Sequence, residues 1–476
     1  MSAGDRTAGP RRRRGSTSIQ ASRLVAFDVL MAVDADEAYA NLLLPHEIAR
    51  ASLAPNDAAL ATELCYGTLR RRGHYDAVIE NAAHRPIDHI DMPVRNALRL
   101  GAHQLLATRV APHAAVNESV ALARRFASHS SAGFVNGVLR TISRDDDAAW
   151  TERLLSDVDD AAEALSIEHA HPAWIVRAFR TALEAEGRGD ELSALLRADN
   201  EAPRVNLVAL PGRADLPQHA EPNRYSPVGF RVGTGDPDAV VGRSEGTLRV
   251  QDEGSQLAAL MLTRVAPVRE GERWLDLCAG PGGKSALLAA EAASGGATLV
   301  ANEVTPARAE LVRRATAPFA EIVDVVTGDG RDVGAQHPDS FDRVLVDAPC
   351  TGLGALRRRP EARWRKRPND VAELSALQAE LLRSAIAATA PGGTIAYVTC
   401  SPHLGETRAI VGETLRRMRD TVTAIDAPEV LRGIVGDIDL GAPDPDRNPA
   451  IPNVQLWPHR HGTDAMYVAL LHKADR

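Results

Sequence analysis

The chain has 476 residues, with 55 Lys plus Arg against 63 Asp plus Glu, a formal net charge of -8, 44% hydrophobic and 25% charged residues. That length exceeds what one hydrophobic core supports, so roughly two to four domains are expected. The composition excludes a wholly disordered, collagenous or coiled-coil chain, no apolar run reaches the roughly 18 residues of a membrane span, and the acidic balance excludes a nonspecific DNA coat.

Residues 1–16 are polar, basic and without periodicity, which predicts a disordered basic arm. Arg11 to Arg14 run into Gly15-Ser16-Thr17-Ser18 rather than an apolar segment, so the arm does not read as a secretory signal. Over 17–150 the apolar spacing is helical: Leu24, Phe27, Leu30 and Met31 share a face, and similar patterns recur at 60–69, 94–106, 114–126 and 134–142. Pro55, Pro86, Pro93 and Pro112 separate these runs without any strand-like alternation, so an all-helical domain is predicted. Residues 151–250 begin with further helices and change period at Val205. Strands are predicted there, at Gly229 to Val232 and at Thr247 to Val250, forming a small α/β module.

From 251 to 476 short apolar runs alternate with helical segments. The runs cover 273–278, 297–303, 322–327, 341–347 and 394–400, which predicts right-handed βαβ units and a doubly wound, Rossmann-like sheet. The tail segments 454–457 and 466–471 read as a closing antiparallel hairpin.

The run Trp274 to Ser285 is a strand, a Gly-rich turn and a helix start. Without Cβ atoms at Gly280, Gly282 and Gly283 the backbone can approach a ligand closely. A P-loop needs Gly where Cys278 stands, and a dinucleotide fingerprint needs Gly where Ser285 stands. Glu303, 20 residues after Gly283, suits a ribose diol, and the Gly328-Asp329-Gly330 turn suits an adenine edge. A Gly-rich turn without a diphosphate fit, followed by ribose and adenine contacts, points to S-adenosylmethionine.

Of the four cysteines, Cys65, Cys278, Cys350 and Cys400, none forms a C-x-x-C pair. A disulfide framework and a structural zinc site are therefore not expected, and a cytoplasmic protein is. Asp347-Ala348-Pro349-Cys350 ends the fourth strand of the sheet and Thr399-Cys400 the fifth, so two thiols and a carboxylate should face the methyl donor. Such a set supports attack on an electron-poor pyrimidine. Carbon 5 of cytosine becomes nucleophilic once a thiolate adds at carbon 6, and an acid near ring nitrogen 3 stabilises the adduct. Residue types alone leave open which thiol attacks.

The stretches V-Q-D-E-G-S-Q (250–256), L-C-A-G-P-G-G-K (277–284), D-A-P-C-T-G-L-G (347–354), T-C-S (399–401) and the closing H-x-x-x-T-D resemble the Fmu/Sun family of RNA cytosine-5 methyltransferases. L-C-Y-G-T-L-R (64–70), A-L-R-L-G-A-H-Q-L-L (97–106) and V-N-G-V-L-R (135–140) resemble the NusB-like extension of its bacterial ribosomal RNA members. The resemblance implies that Cys400 is the nucleophile, that Cys350 assists product release and that Asp347 contacts the base. It further implies that Cys278, Ala279, Gly280, Pro281, Gly282, Gly283, Lys284, Glu303, Arg308, Asp329 and Asp347 hold S-adenosylmethionine. Lys284, outside any P-loop, is expected to orient Asp347 or the base.

Residues 357–367 carry seven cations against the single acid Glu361. Lying just after Cys350, the set Arg357, Arg358, Arg359, Arg363, Arg365, Lys366 and Arg367 is expected to contact the RNA backbone. Arg70, Arg71 and Arg72 are a weaker second candidate. The reading is of a monomeric enzyme methylating carbon 5 of a cytidine in small-subunit ribosomal RNA. Its rivals are a non-catalytic NusB-like RNA-binding factor and a nicotinamide oxidoreductase, neither of which uses both Cys350 and Cys400.

Overall fold

In the computed structural model, which describes residues 19–232, 237–441 and 451–475, the chain divides into two compact units, Met1–Ala170 and His171–Arg476. The arm predicted over 1–16 lies outside the described residues. Among the described residues no helix is long and apolar enough to cross a membrane.

The first unit is built from α-helices between Ala21 and His169, with no strand among its described residues. Pro55 and Pro112 open two of them at the position where a missing N–H leaves nothing unpaired. Ser128, Asp146 and Asp160 start three others by accepting backbone N–H groups. Phe27, Leu64, Tyr75, Leu98 and Leu139 form its core, fully buried. Helices Asp147–Leu155 and Ala161–His169 pack onto this bundle, so the unit runs past the predicted boundary at 150. Trp150 Nε1 donates to Ile142 O at 3.0 Å, and the buried His74 ring lies 3.1 Å from Asp147 Oδ1 and 3.2 Å from Ile167 O. Arg70, Arg71 and Arg72 do not form the outer cationic surface suggested for them. Arg70 is buried, Arg71 pairs with Asp147 at 3.0 Å and Arg72 with Asp34 at 2.9 Å.

The second unit opens with helices Ala173–Glu184 and Leu192–Ala198. An antiparallel sheet of four strands follows, in the order 221–222, 229–231, 206–209, 248–250. Helix Glu253–Thr263 then leads into the large sheet, whose strands are β1 (Arg273–Asp276), β2 (Thr298–Asn302), β3 (Val323–Val326), β4 (Phe341–Asp347), β5 (Thr389–Thr399), β6 (Val422–Ile425), β7 (Asn453–Gln455) and β8 (Tyr467–Lys473). Their order is β6-β8-β5-β4-β1-β2-β3, with β7 paired to β8. Strands β1 to β5 run parallel, and β8 runs antiparallel to both β5 and β6. Side chains alternate across the sheet with period two. Leu345, Ala396 and Val398 pack with helices Glu253–Thr263 and Gly283–Gly295, while Val344, Val346, Ile395 and Tyr397 pack with helix Pro368–Ala388.

The tail differs from the predicted closing hairpin. β7 and β8 do pair, but β8 is also inserted inside the sheet between β5 and β6, a strand the sequence did not reveal. Tyr467 to Leu471 are all buried, as a continuous apolar run covered on both faces should be. The strand order reverses between β1 and β4, and ligands of such sheets bind beyond the carboxyl ends of strands at that point.

Candidate active site

Beyond β1 the chain turns through Cys278 to Gly283 into helix Gly283–Gly295. Gly282 has φ 103°, and a Cβ there would lie 2.5 Å from Ala315 Cβ, so only glycine fits. A Cβ at Gly280 would lie 2.2 Å from Glu303 Oε2. Glu303, buried at the end of β2, accepts from Gly280 N at 3.0 Å and Thr305 N at 2.9 Å. A carboxylate offers about four acceptor positions, so lone pairs remain for a diol. Arg308, half-exposed, lies 3.6 Å from Glu303 and donates to Gly280 O, bracing the turn. Asp329, after β3, caps helix Gly330–Gln336 and holds the Arg331 guanidinium at 2.6 Å while staying partly exposed. Ser285 donates to Asp276 Oδ2 at 2.7 Å beneath the turn. Burial pushes the Asp276 carboxyl up to about 7. Amide groups and side-chain-free backbone at one strand end, with carboxylates at the next two, fit the adenosyl and methionine parts of S-adenosylmethionine.

On the other side of the reversal stand the thiols. Cys350 Sγ and Cys400 Sγ, carried beyond the adjoining strands β4 and β5, are 3.4 Å apart. Lys284 Nζ, buried, lies 2.8 Å from Oδ2 of Asp347, which is half-buried at the end of β4. Burial pulls the Lys284 ammonium down, but its pairing with Asp347 more than offsets this and holds it above its usual value. The hydrogen bond from Cys350 brings Cys400 below the usual thiol range against burial, and Lys284 acts in the same direction. Cys350 is pushed up by that same bond, by burial and by the charges of Cys400 and Glu406. Burial, with Asp276 and Asp347 nearby, also raises Cys278. Of the two thiols, Cys400 is the one shifted down and Cys350 the one shifted up.

The cationic run after Cys350 divides in two. Arg357, Arg358 and Arg363, expected on RNA, are internal struts instead. Arg357 Nε donates to Asp464 Oδ1 at 2.9 Å, and Arg358 bridges Asp464 and Asp252 at 2.9 and 2.5 Å. Arg363, with 0% exposure, bonds Asn200 Oδ1 at 2.6 Å and Asp199 O at 2.7 Å. Carboxylates distant in sequence neutralise Arg357 and Arg358, and distant carbonyl oxygens accept from Arg363, which a local charge count cannot register. Arg359 and Arg367 are exposed, and Arg365 and Lys366 are half-buried.

Sequence reasoning gave Asp252 and Asp464 no role, although both lie in the stretches that carry the family resemblance. It also passed over Glu406 and Gln378, which no motif marked. Glu406 accepts from Thr351 N at 2.7 Å and from Ser401 Oγ at 2.6 Å, and Gln378 Nε2 donates to Pro349 O at 2.8 Å.

Residues 263–472 match the family described as 16S rRNA methyltransferase RsmB/F, and residues 20–144 match the NusB family. A putative methyltransferase of Mycobacterium tuberculosis is 48% identical, with 98% of this chain and 99% of that protein covered. Ribosomal RNA small subunit methyltransferase B of Erwinia tasmaniensis is 32% identical over 89% of this chain and 92% of that protein. The crystal structure of PH0851 shares the fold, with a TM-score of 0.75 at 22% identity over 95% of this chain and 99% of that one. Matched along nearly its whole length, and carrying a Gly-rich turn at the strand reversal, the chain belongs to the RsmB/F family of 16S rRNA methyltransferases, which depend on S-adenosylmethionine.

Proposed function

We propose that this protein methylates carbon 5 of a cytidine in 16S ribosomal RNA through a covalent adduct between Cys400 and carbon 6 of the base. The observation that carries this reading is the pair of thiols, 3.4 Å apart, beside the Lys284–Asp347 ion pair. One activated thiolate suffices for nucleophilic catalysis, but reversing the addition after methylation needs a second group, and the geometry supplies one of the same chemistry.

Cys400, held as thiolate, adds to carbon 6, and the ring electrons shift so that carbon 5 becomes nucleophilic. Bound S-adenosylmethionine supplies an electrophilic methyl group. Lys284 holds Asp347 with its carboxyl toward the base edge, where it stabilises the ring nitrogen of the adduct. Bonding of Cys400 to carbon 6 removes the charge that opposes ionisation of Cys350, which passes its own proton to water and then, as thiolate, takes the proton from carbon 5. Loss of that proton restores the double bond, breaks the carbon–sulfur bond and frees Cys400. The base must leave its stack to reach the sulfurs. The exposed and half-exposed cations Arg359, Arg365, Lys366 and Arg367 are the side chains we assign to the RNA backbone. Arg357, Arg358 and Arg363 hold the loop that carries them.

Tritium transfer from labelled donor to RNA, with denaturing gels for the adduct, tests this. C400S is expected to give neither product nor adduct, and C350A to accumulate the adduct. An adduct in C400S that is missing in C350S would reverse the two assignments. Methyl groups appearing elsewhere than carbon 5 would end the proposal.

A further inference from the structure

Two residues adjoin the sulfurs on the chain, Thr351 after Cys350 and Ser401 after Cys400, and both bond one carboxylate. Glu406 sits in the turn Leu404–Glu406 with 0% exposure. Its Oε1 accepts from Thr351 N at 2.7 Å and Gln378 Nε2 at 3.3 Å, and its Oε2 accepts from Thr351 Oγ1 at 2.5 Å and Ser401 Oγ at 2.6 Å. Among the described residues these donors are all neutral. Tyr397 fixes the same turn by donating to Glu406 O at 2.8 Å. Gln378 also donates to Pro349 O at 2.8 Å, so the backbone is held on both sides of Cys350.

We propose that Glu406 is a positioning residue for the methyl transfer: its carboxylate clamps Thr351 to Ser401 and thereby sets the spacing of Cys350 and Cys400. The inference rests on the reading of these two thiols as release group and nucleophile. Cys350 and Cys400 lie in loops beyond different strands, and the sheet register ends before either of them. The last paired residues there are Asp347 and Val398. Past that point Glu406 joins the two loops through side chains, together with the bond from Gly354 N to Cys400 O at 2.9 Å. Hydrogen bonds to an ionised acceptor are shorter and roughly twice as strong as neutral ones, and a buried network loses its order when one member goes. An amide in place of the acid keeps one accepting oxygen, and its NH2 can donate to the hydroxyls of Thr351 and Ser401, which accept as readily as they donate.

The test compares E406A and E406Q by two readouts. Phenylarsine oxide exchanges its oxygen for two thiol sulfurs and releases one water, with no change of oxidation state, so it reports sulfurs within reach of one arsenic atom. The relevant chelation is that which C350A abolishes. E406A is expected to lose it and to lose about 100-fold in kcat, the order that a 1 Å misplacement costs, with KM for S-adenosylmethionine unchanged. E406Q is expected to recover most of both. Wild-type chelation in folded E406A, or equal losses of activity in E406A and E406Q with chelation intact, would overturn the proposal. Should E406A not fold, S401A and T351V each remove one arm of the clamp and carry the same comparison. The arsenical needs no RNA, so its result stands apart from whether cytosine is the substrate.

Discussion

At Asp276 the sequence shows an acid at the end of a strand, and only burial gives it an unusual charge state. Its carboxyl holds a proton up to about 7 in the folded chain against an ordinary 3.8. Between those values the folded chain binds more protons than the unfolded one, so this group's contribution to stability falls as pH rises toward 7 and is flat above it. D276N carries no such dependence. Its advantage over wild type in urea unfolding is therefore expected to grow by roughly 3 kcal/mol from pH 5 to pH 8. A constant difference would show that Asp276 ionises normally. The positions of Glu303, Asp329, Cys350 and Cys400 beyond strand ends were legible because each follows a short apolar run. Glu406 was not, because its partners Thr351 and Ser401 are defined by the fold.

The decisive element is the segment from Cys350 to Arg367. Gly354 passes so close to two other backbones that a Cβ would lie 2.0 Å from Ala465 O and 2.8 Å from Cys400 O. G354A must push the loop away from Ala465 and Cys400, with an expected cost of about 1–3 kcal/mol in stability and a lower kcat at unchanged cofactor affinity. Full activity would mean that the loop's seat against Ala465 and Cys400 is irrelevant to the chemistry. The same segment shows why its charge misled. R363A removes a buried guanidinium and leaves Asn200 and Asp199 O without its bonds, so a loss of about 3 kcal/mol is expected. R367E, at an exposed position, should stay within roughly 0.5 kcal/mol of wild type. Equal effects of the two on melting would contradict the division into struts and surface.

For the whole molecule, the net charge of -8 does not attract RNA, so binding must come from local cation sets. Charge reversal of Arg359, Arg365, Lys366 and Arg367 is expected to weaken RNA binding and flatten its salt dependence by roughly 0.7 per lost phosphate contact, leaving S-adenosylmethionine binding intact. An unchanged salt slope would place the RNA elsewhere. The sequence alone determined the helical first unit, the alternating strands and helices of the second, and the Gly-rich turn and the two thiols that stand beyond strand ends. All of these depend on contiguous stretches, where periodicity and turn residues act over a few positions. The tertiary structure decided the insertion of β8, the burial of Arg357 and Arg363, the pairing of Arg358 with Asp252 and Asp464, and the 3.4 Å between Cys350 and Cys400. Those features join residues 45 to more than 100 positions apart. Which distant group neutralises a charge, or fixes a sulfur, follows from packing in three dimensions and leaves no trace in local pattern.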